Sequence, residues 1–158
     1  MNTIRILALF IATAAMAVAA PEPAVNPATI QDKVNLTLGQ KLHLTFKLAG
    51  ERLLQPTISK GTDGDPDTVT ASLYVTDATP VRVKGVPTRP YIVVSNGFAR
   101  TLHFRALARR KGSKAFFAID DLLKPAAPGE ASQWCWESGS LIEEVILYEF
   151  ALAGTPAK

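Results

Sequence analysis

The strongest constraint on the fold is a stretch in which apolar and polar residues alternate strictly. Its apolar members are Leu42, Leu44, Phe46 and Leu48, and its polar members are Lys41, His43, Thr45 and Lys47. A period of two sends successive side chains to opposite faces of an extended chain, so this stretch predicts a half-buried antiparallel strand.

Similar short segments recur along the chain and are separated by Gly, Pro, Asn and Asp residues. The predicted strands are residues 34–38, 41–48, 53–59, 68–76, 81–84, 91–94, 101–109, 116–119 and 141–152. Short strands with turns every eight to twelve residues predict an all-β fold. We expect an antiparallel β-sandwich of immunoglobulin-like architecture, with a closed β-barrel as the alternative. The segment 141–145 also has helical propensity, but the β-branched and aromatic run after it favours a strand.

Three finer predictions follow from local patterns. Asn96-Gly97 predicts a tight hairpin turn, so residues 91–119 would form a three-strand meander. Residues 120–139 read as a long irregular connection. In the last strand, the period of two would place four apolar residues on one face: Ile146, Tyr148, Phe150 and Leu152.

The first nineteen residues have the pattern of a secretory signal peptide. A positive start with Arg5 precedes an apolar run from Ile6 to Val18, and Ala17-Val18-Ala19 matches a small-residue cleavage site. We expect cleavage before Ala20, a Pro-rich extended lead-in over residues 20–32 and one β domain over residues 33–154. The expected location is periplasmic or secreted. No later run is long and apolar enough to predict a membrane span.

Charge and cysteine usage add two limits. Arg5 is the only charged residue of the leader, so the net charge falls from +3 to +2 without it. So small an excess gives no reason to expect a nucleic-acid partner. The single cysteine, Cys135, has no second cysteine in the chain to pair with, so the fold must be held by its core. Its neighbours are Trp134 and Trp136, and we expect this thiol to be buried or partly shielded.

Catalytic and metal-binding patterns are weak. The chain has only two histidines, His43 and His103, and no Gly-x-Ser-x-Gly sequence. The loop 63–67 begins like a calcium-binding loop, but Thr68 and Tyr74 stand where glycine and glutamate would be required. We therefore predict neither an enzyme nor a metal or cofactor site.

Two groups of residues are candidate contact surfaces. The first is a basic group around strand 101–109 and the turn after it, with contributions from strand 81–84: Arg82, Lys84, Arg105, Arg109, Arg110, Lys111 and Lys114. The second is the aromatic pair Trp134 and Trp136, which would share one face and either cover the end of the core or form a docking surface. The binding residues predicted from these groups are Arg105, Arg109, Arg110, Lys111, Trp134 and Trp136.

These observations favour an exported module that binds a partner without catalysing a reaction. The expected partner is a protein or a polymer of the cell envelope. The alternative is a carrier of a small apolar ligand in a barrel cavity lined by Leu44, Phe46, Phe104, Tyr148 and Phe150.

Overall fold

The computed structural model describes residues 25–76, 89–137 and 140–154. The predicted leader, the first part of the lead-in and the predicted strand 81–84 lie outside these residues. Strands make up 59% of the described residues, which confirms the all-β class. The nine described strands are β1 Val34–Thr37, β2 Gln40–Ala49, β3 Arg52–Ser59, β4 Val69–Thr76, β5 Arg89–Asn96, β6 Thr101–Arg110, β7 Phe116–Ala118, β8 Ala131–Cys135 and β9 Ile142–Ala153. Short 3-10 segments cover Pro27–Thr29 and Asp120–Leu122.

The described strands form one antiparallel sheet that curls into a half-barrel. Its order is β7-β6-β9-β3-β2-β4-β5-β8, and β1 pairs with the first half of β9. The main core lies on the concave face, where fully buried residues such as Leu44, Leu73 and Ile92 pack together. No helix among the described residues is long and apolar enough to cross a membrane.

The predicted meander is wrong in one of its two pairings. β6 pairs with β7 as expected, but β5 and β6 are not neighbours, because β5 lies between β4 and β8. Asn96-Gly97 therefore begins a crossing between distant strands and not a hairpin turn. Gly97 is needed for a different reason: a Cβ atom there would lie 2.2 Å from the carbonyl oxygen of Asp65.

The side chain of Asn96 organises this crossing. Its amide nitrogen donates hydrogen bonds to the carbonyl oxygens of Arg100, Ala126 and Ala127, at 2.8, 3.0 and 3.2 Å. Its amide oxygen accepts from the backbone N–H of Phe98 at 2.9 Å. Nearby, Leu102 of β6 forms an isolated antiparallel bridge with Ala126, which precedes β8. This bridge thus joins β6, next to one edge of the curled sheet, to the segment that leads into β8, the other edge.

The prediction of a single apolar face on β9 is also wrong. Glu149 has a positive φ of 52°, and the β6–β9 register shifts opposite it, between His103 and Arg105. An extra residue in one strand reverses the alternation of faces. Phe150 consequently joins the main core, whereas Tyr148 packs in a second cluster on the convex face. That cluster contains Leu107, Ile146 and Tyr148, with Val25, Ile30, Phe116 and Ala118 packed against it.

Candidate functional site

β8 is a sheet edge whose outward backbone groups lack partners among the described residues. Residues 131–135 pair in register with Ser95 to Tyr91 of β5. The backbone N–H of Asn96 donates to the carbonyl oxygen of Glu130 just before the strand. The backbone N–H of Trp136 donates to the carbonyl oxygen of Pro90 just after it. Antiparallel pairs alternate between bonded and non-bonded, so the even-numbered residues of β8 bond to β5. The N–H and C=O groups of Ala131, Gln133 and Cys135 therefore point away from the sheet.

The chemistry of β8 does little to protect this edge. The strand reads Ala-Ser-Gln-Trp-Cys, with no charged residue and no proline, and the exposed residues Glu130 and Glu137 lie outside it. Edge strands are usually blunted by charges, proline or a covering segment. The prediction of an irregular connection over residues 120–139 is wrong for β8. The alternation of apolar and polar residues over five positions is too weak to predict a strand from the sequence.

The two tryptophans lie on the concave side of β8 with different exposure. Trp134 is paired in register with the fully buried Ile92, so both side chains belong to that face. Trp134 is 37% exposed, whereas Trp136 is 8% exposed and belongs to the main core. Each tryptophan therefore has one of the two roles predicted for the pair. Trp136 covers the end of the core, and Trp134 forms an exposed aromatic surface at the edge.

Two buried polar atoms accompany these tryptophans. The Oγ of Ser132 and the Nε1 of Trp136 are buried without a hydrogen-bond partner among the described residues. Buried donors and acceptors are normally paired, because an unpaired one costs about 1–3 kcal/mol. Unpaired buried polar atoms are therefore concentrated on the concave side of β8 within the described part of the main core.

Cys135 lies on the opposite, convex side of the same strand. It pairs in register with Tyr91, and its thiol donates to the carbonyl oxygen of Trp136 at 3.5 Å. The thiol is free and partly exposed. The ring of Tyr91 lies 5.3 Å from that of Tyr74. Burial is the main cause that raises the pKa of the Tyr74 hydroxyl, with the charges of Tyr91 and Cys135 adding to it. Cys135 is thus partly shielded, although Trp134 and Trp136 face the other side of the strand.

Two residues of the predicted basic surface, Arg105 and Arg109, are paired with carboxylates. Nε and Nη2 of Arg105 both donate to Oδ2 of Asp120, at 3.0 and 2.9 Å, and its Nη1 lies 3.8 Å from Glu149. Arg109 donates to Glu144 at 2.7 Å and to Glu143 at 3.1 Å. The hydrogen bonds that Arg105 donates to Asp120 and that Arg109 donates to Glu144 raise the pKa values of the two guanidinium groups.

The other two basic residues predicted to bind, Arg110 and Lys111, have different neighbours. Arg110 lies with its Cζ 5.6 Å from the ring centre of Phe117, a cation–π contact. Lys111 borders a small apolar pocket of about 320 Å³ that Leu38, Val75 and Leu141 also line. The structure therefore brings Trp134 and Trp136 together but does not gather the four basic residues and the tryptophans into one site.

Three polar groups considered for catalytic or metal-binding roles, His43, Asp63 and Asp65, have structural partners. The ring Nδ1 of His43 lies 3.1 Å from the Oγ1 of Thr70. Asp65 accepts hydrogen bonds from the backbone and hydroxyl of Thr62, which lower the pKa of its carboxyl group, and Asp63 pairs with Lys41. Within the described ranges, no group of three or more His, Cys, Asp or Glu side chains could hold a metal ion.

The convex face has a cleft of about 630 Å³ that was not predicted from the sequence. It lies where β3 and β9 separate, and Arg105 and Tyr148 line it. Asp32 and Glu149 line the cleft and have positive φ angles. Neither is a glycine, so the sequence carries no visible signal of this backbone conformation.

Comparison with known proteins gives no relative from which a function could be transferred: no family model, curated protein or solved structure matches the chain.

Proposed function

We propose that this chain is an exported module that binds an extended segment of a partner protein by adding it as a strand along β8. The observation that carries the proposal is the row of outward N–H and C=O groups at Ala131, Gln133 and Cys135. Added strands bind through such main-chain groups, and pockets for alternate side chains supply the specificity.

The side chains around β8 define the segment that would fit. Trp134 offers an apolar surface on the concave face, and tryptophan is enriched among residues that dominate binding energy. Glu130 and Glu137 flank the strand at its two ends. The preferred partner segment is therefore extended, has an apolar residue beside Trp134 and carries basic residues at its ends. Arg105 and Arg109 contribute little to this contact, because carboxylates already neutralise their charges.

Gln133→Pro tests the proposal with little disturbance of the fold. The N–H of Gln133 points outward, so proline removes one group offered to a partner while the hydrogen bonds to β5 stay intact. Gln133→Thr is the matched control, because it keeps the N–H and suits a strand. We expect a partner captured from envelope extract by the wild type and by Gln133→Thr to bind Gln133→Pro at least about tenfold more weakly.

Hydrogen exchange then locates the contact. In the free protein the amides of Ser132 and Trp134 should be protected, and those of Ala131, Gln133 and Cys135 should exchange fast. The partner should protect the second set selectively. A partner that binds Gln133→Pro as well as the wild type, or that leaves these three amides unprotected, would contradict strand addition along β8. Concentration-dependent self-association abolished by Gln133→Pro would assign the edge to a second copy of the chain instead.

A carrier of a small apolar ligand is the second candidate function. It is favoured by an apolar pocket of about 410 Å³ lined by Phe46, Leu48, Leu53, Phe98 and Leu152. The ring of Phe46 lies 6.5 Å from that of Phe98 and 4.9 Å from that of Phe150. The interior predicted for such a carrier is only partly supported, since Tyr148 packs on the convex face. Tight, salt-independent binding of an uncharged lipophilic dye would favour this function.

Of the two architectures, we favour an incompletely closed barrel over a two-layer sandwich. One continuous path of paired strands runs from β7 to β8, and the bridge between Leu102 and Ala126 joins the two ends at one level. This architecture suits strand addition, because a barrel has free edges only where it fails to close.

A further inference from the structure

The convex-face cleft arises because β9 changes neighbours along its length. Residues 144–147 pair with β1, whereas the register with β3 contains only Arg52 and Ala151. Between these two pairings the strands separate, and the segment from Val25 to Asp32 forms the far wall of the opening. Its volume of about 630 Å³ is in the range of sites for small organic ligands.

Two arginines lie on the same side of the sheet at this cleft. Arg52 pairs in register with Ala151, and Ala151 pairs with His103 of β6, so these three side chains share the convex face. Arg105 follows two positions after His103 and also lines the cleft. Arg52 is exposed, and the side chain of Arg105 is 48% exposed despite its bonds to Asp120. Both guanidinium groups can therefore be reached from the cleft.

Tyr148 forms part of the cleft lining and is itself incompletely satisfied. The residue is 2% exposed, and its hydroxyl is buried without a hydrogen-bond partner among the described residues. Burial is the main cause that raises the pKa of this hydroxyl, which keeps it protonated and able to donate. The Cζ of Arg105 lies 5.4 Å from the centre of the ring, so the ring holds the guanidinium group in place.

The carboxylates of the cleft are already engaged. Asp32 Oδ1 accepts the backbone N–H of Gln55 at 2.9 Å, and Glu149 lies 3.8 Å from Arg105. Asp32, Gln55 and Glu149 all have positive φ, at 49°, 51° and 52°. Residues held in this region by their surroundings tend to cluster at binding sites. The remaining lining combines two polar residues, Thr29 and Gln31, with apolar ones: Val25, Ile30, Leu53, Leu54, Phe150 and Ala151.

We propose that this cleft binds a small organic carboxylate with an apolar body, at a site separate from β8. Arg52 would hold the carboxylate through its guanidinium group, which matches the two oxygens. Nη1 of Arg105, which is not bonded to Asp120, would be a second donor. The apolar body would lie against Val25, Ile30 and Leu54, the apolar side chains of the lining that are not part of the main core. The formal charges of the lining balance, so attraction comes from contact geometry at the two arginines and not from a net positive field.

The probe pair 4-phenylbutyrate and 4-phenylbutanamide tests this assignment, because the two differ in the charge of the head group and share the phenyl body. Binding is followed by the backbone amide shifts of the full protein. We expect saturable shifts centred on Leu53, Leu54, Phe150 and Ala151, with the carboxylate at least about tenfold tighter than the amide. Arg52→Gln should weaken the carboxylate about tenfold and leave the amide unchanged.

Lys47→Gln is the matched control, since it removes an exposed cation that does not line the cleft, and it should change neither affinity. Arg105→Lys checks the second arginine with its charge retained, and should weaken the carboxylate because one amino group cannot bond to Asp120 and to the ligand as the guanidinium group does. Equal affinities for the two probes, shifts centred elsewhere, or no saturable shift below roughly 10 mM probe would each overturn the proposal. None of these outcomes depends on the β8 edge, so the two proposals fail independently.

Discussion

The two edges of the curled sheet, β7 and β8, differ in how they are protected. β7 has three residues and is bordered by cations that stack on its aromatic rings, Arg109 on Phe116 and Arg110 on Phe117. β8 has five residues and no charged side chain. Both present a large aromatic residue, since Phe117 is 36% and Trp134 is 37% exposed. The exposed aromatic residues therefore do not distinguish the two edges. The edges differ in that cations border β7, whereas no charged side chain protects the outward backbone groups of β8.

Asn96→Ala should have the largest effect on stability, because this side chain holds the segment before β8 close to the start of β6. Asn96 is 2% exposed, and its loss leaves the buried Phe98 N–H and several carbonyl groups without their partner. We expect a loss of about 2–4 kcal/mol in the free energy of unfolding, measured by urea denaturation. The bridge between Leu102 and Ala126 should also lose protection from hydrogen exchange.

Asn35→Ala is the control for that variant, since Asn35 is exposed and bonds only to Glu144. Its effect should stay within about 0.5 kcal/mol. If Asn96→Ala were equally mild, the junction would not be what holds the two edges at a fixed separation.

Arg109→Met should have an intermediate effect and should act on the β7 side. The guanidinium group bonds to Glu143, Glu144 and the carbonyl oxygen of Ser113, so it joins β6, β9 and the turn before β7. Methionine keeps the apolar stem and removes these bonds. We expect the midpoint of thermal unfolding to fall by roughly 3–6 °C, and the amides of β7 to exchange faster while those of β8 do not change. Equal loosening of both edges would contradict a local role.

Gln133→Lys should have the smallest effect on stability, because its side chain is exposed at the β8 edge. We expect a change within about 0.5 kcal/mol in the free energy of unfolding. A lysine at an edge opposes pairing with another strand, so aggregation during mild heating, followed by light scattering, should slow. An unchanged rate would show that β8 is no more prone to pairing than β7.

Much of the fold could be predicted because its signals are local. The alternation through Leu42 to Leu48 and the β-branched and aromatic run of β9 each specify a strand from neighbouring residues, and both strands are present. The site was predicted less well. Trp134 and Trp136 were identified by residue type, but their strand was missed, and the cleft at Tyr148 was not foreseen at all.

The sequence by itself determined that this chain is built from short antiparallel strands, because side-chain periodicity reports which face of a segment is buried. Only the tertiary structure decided which strands are neighbours: Asn96-Gly97 resembles a hairpin turn, yet the partners of Asn96 lie up to thirty-one residues away. The structure likewise decided that Glu149 reverses the face of β9 and that Arg109 meets carboxylates thirty-four and thirty-five residues later. Contacts between distant residues leave no periodic trace, so the free edge and the cleft follow from how the sheet closes.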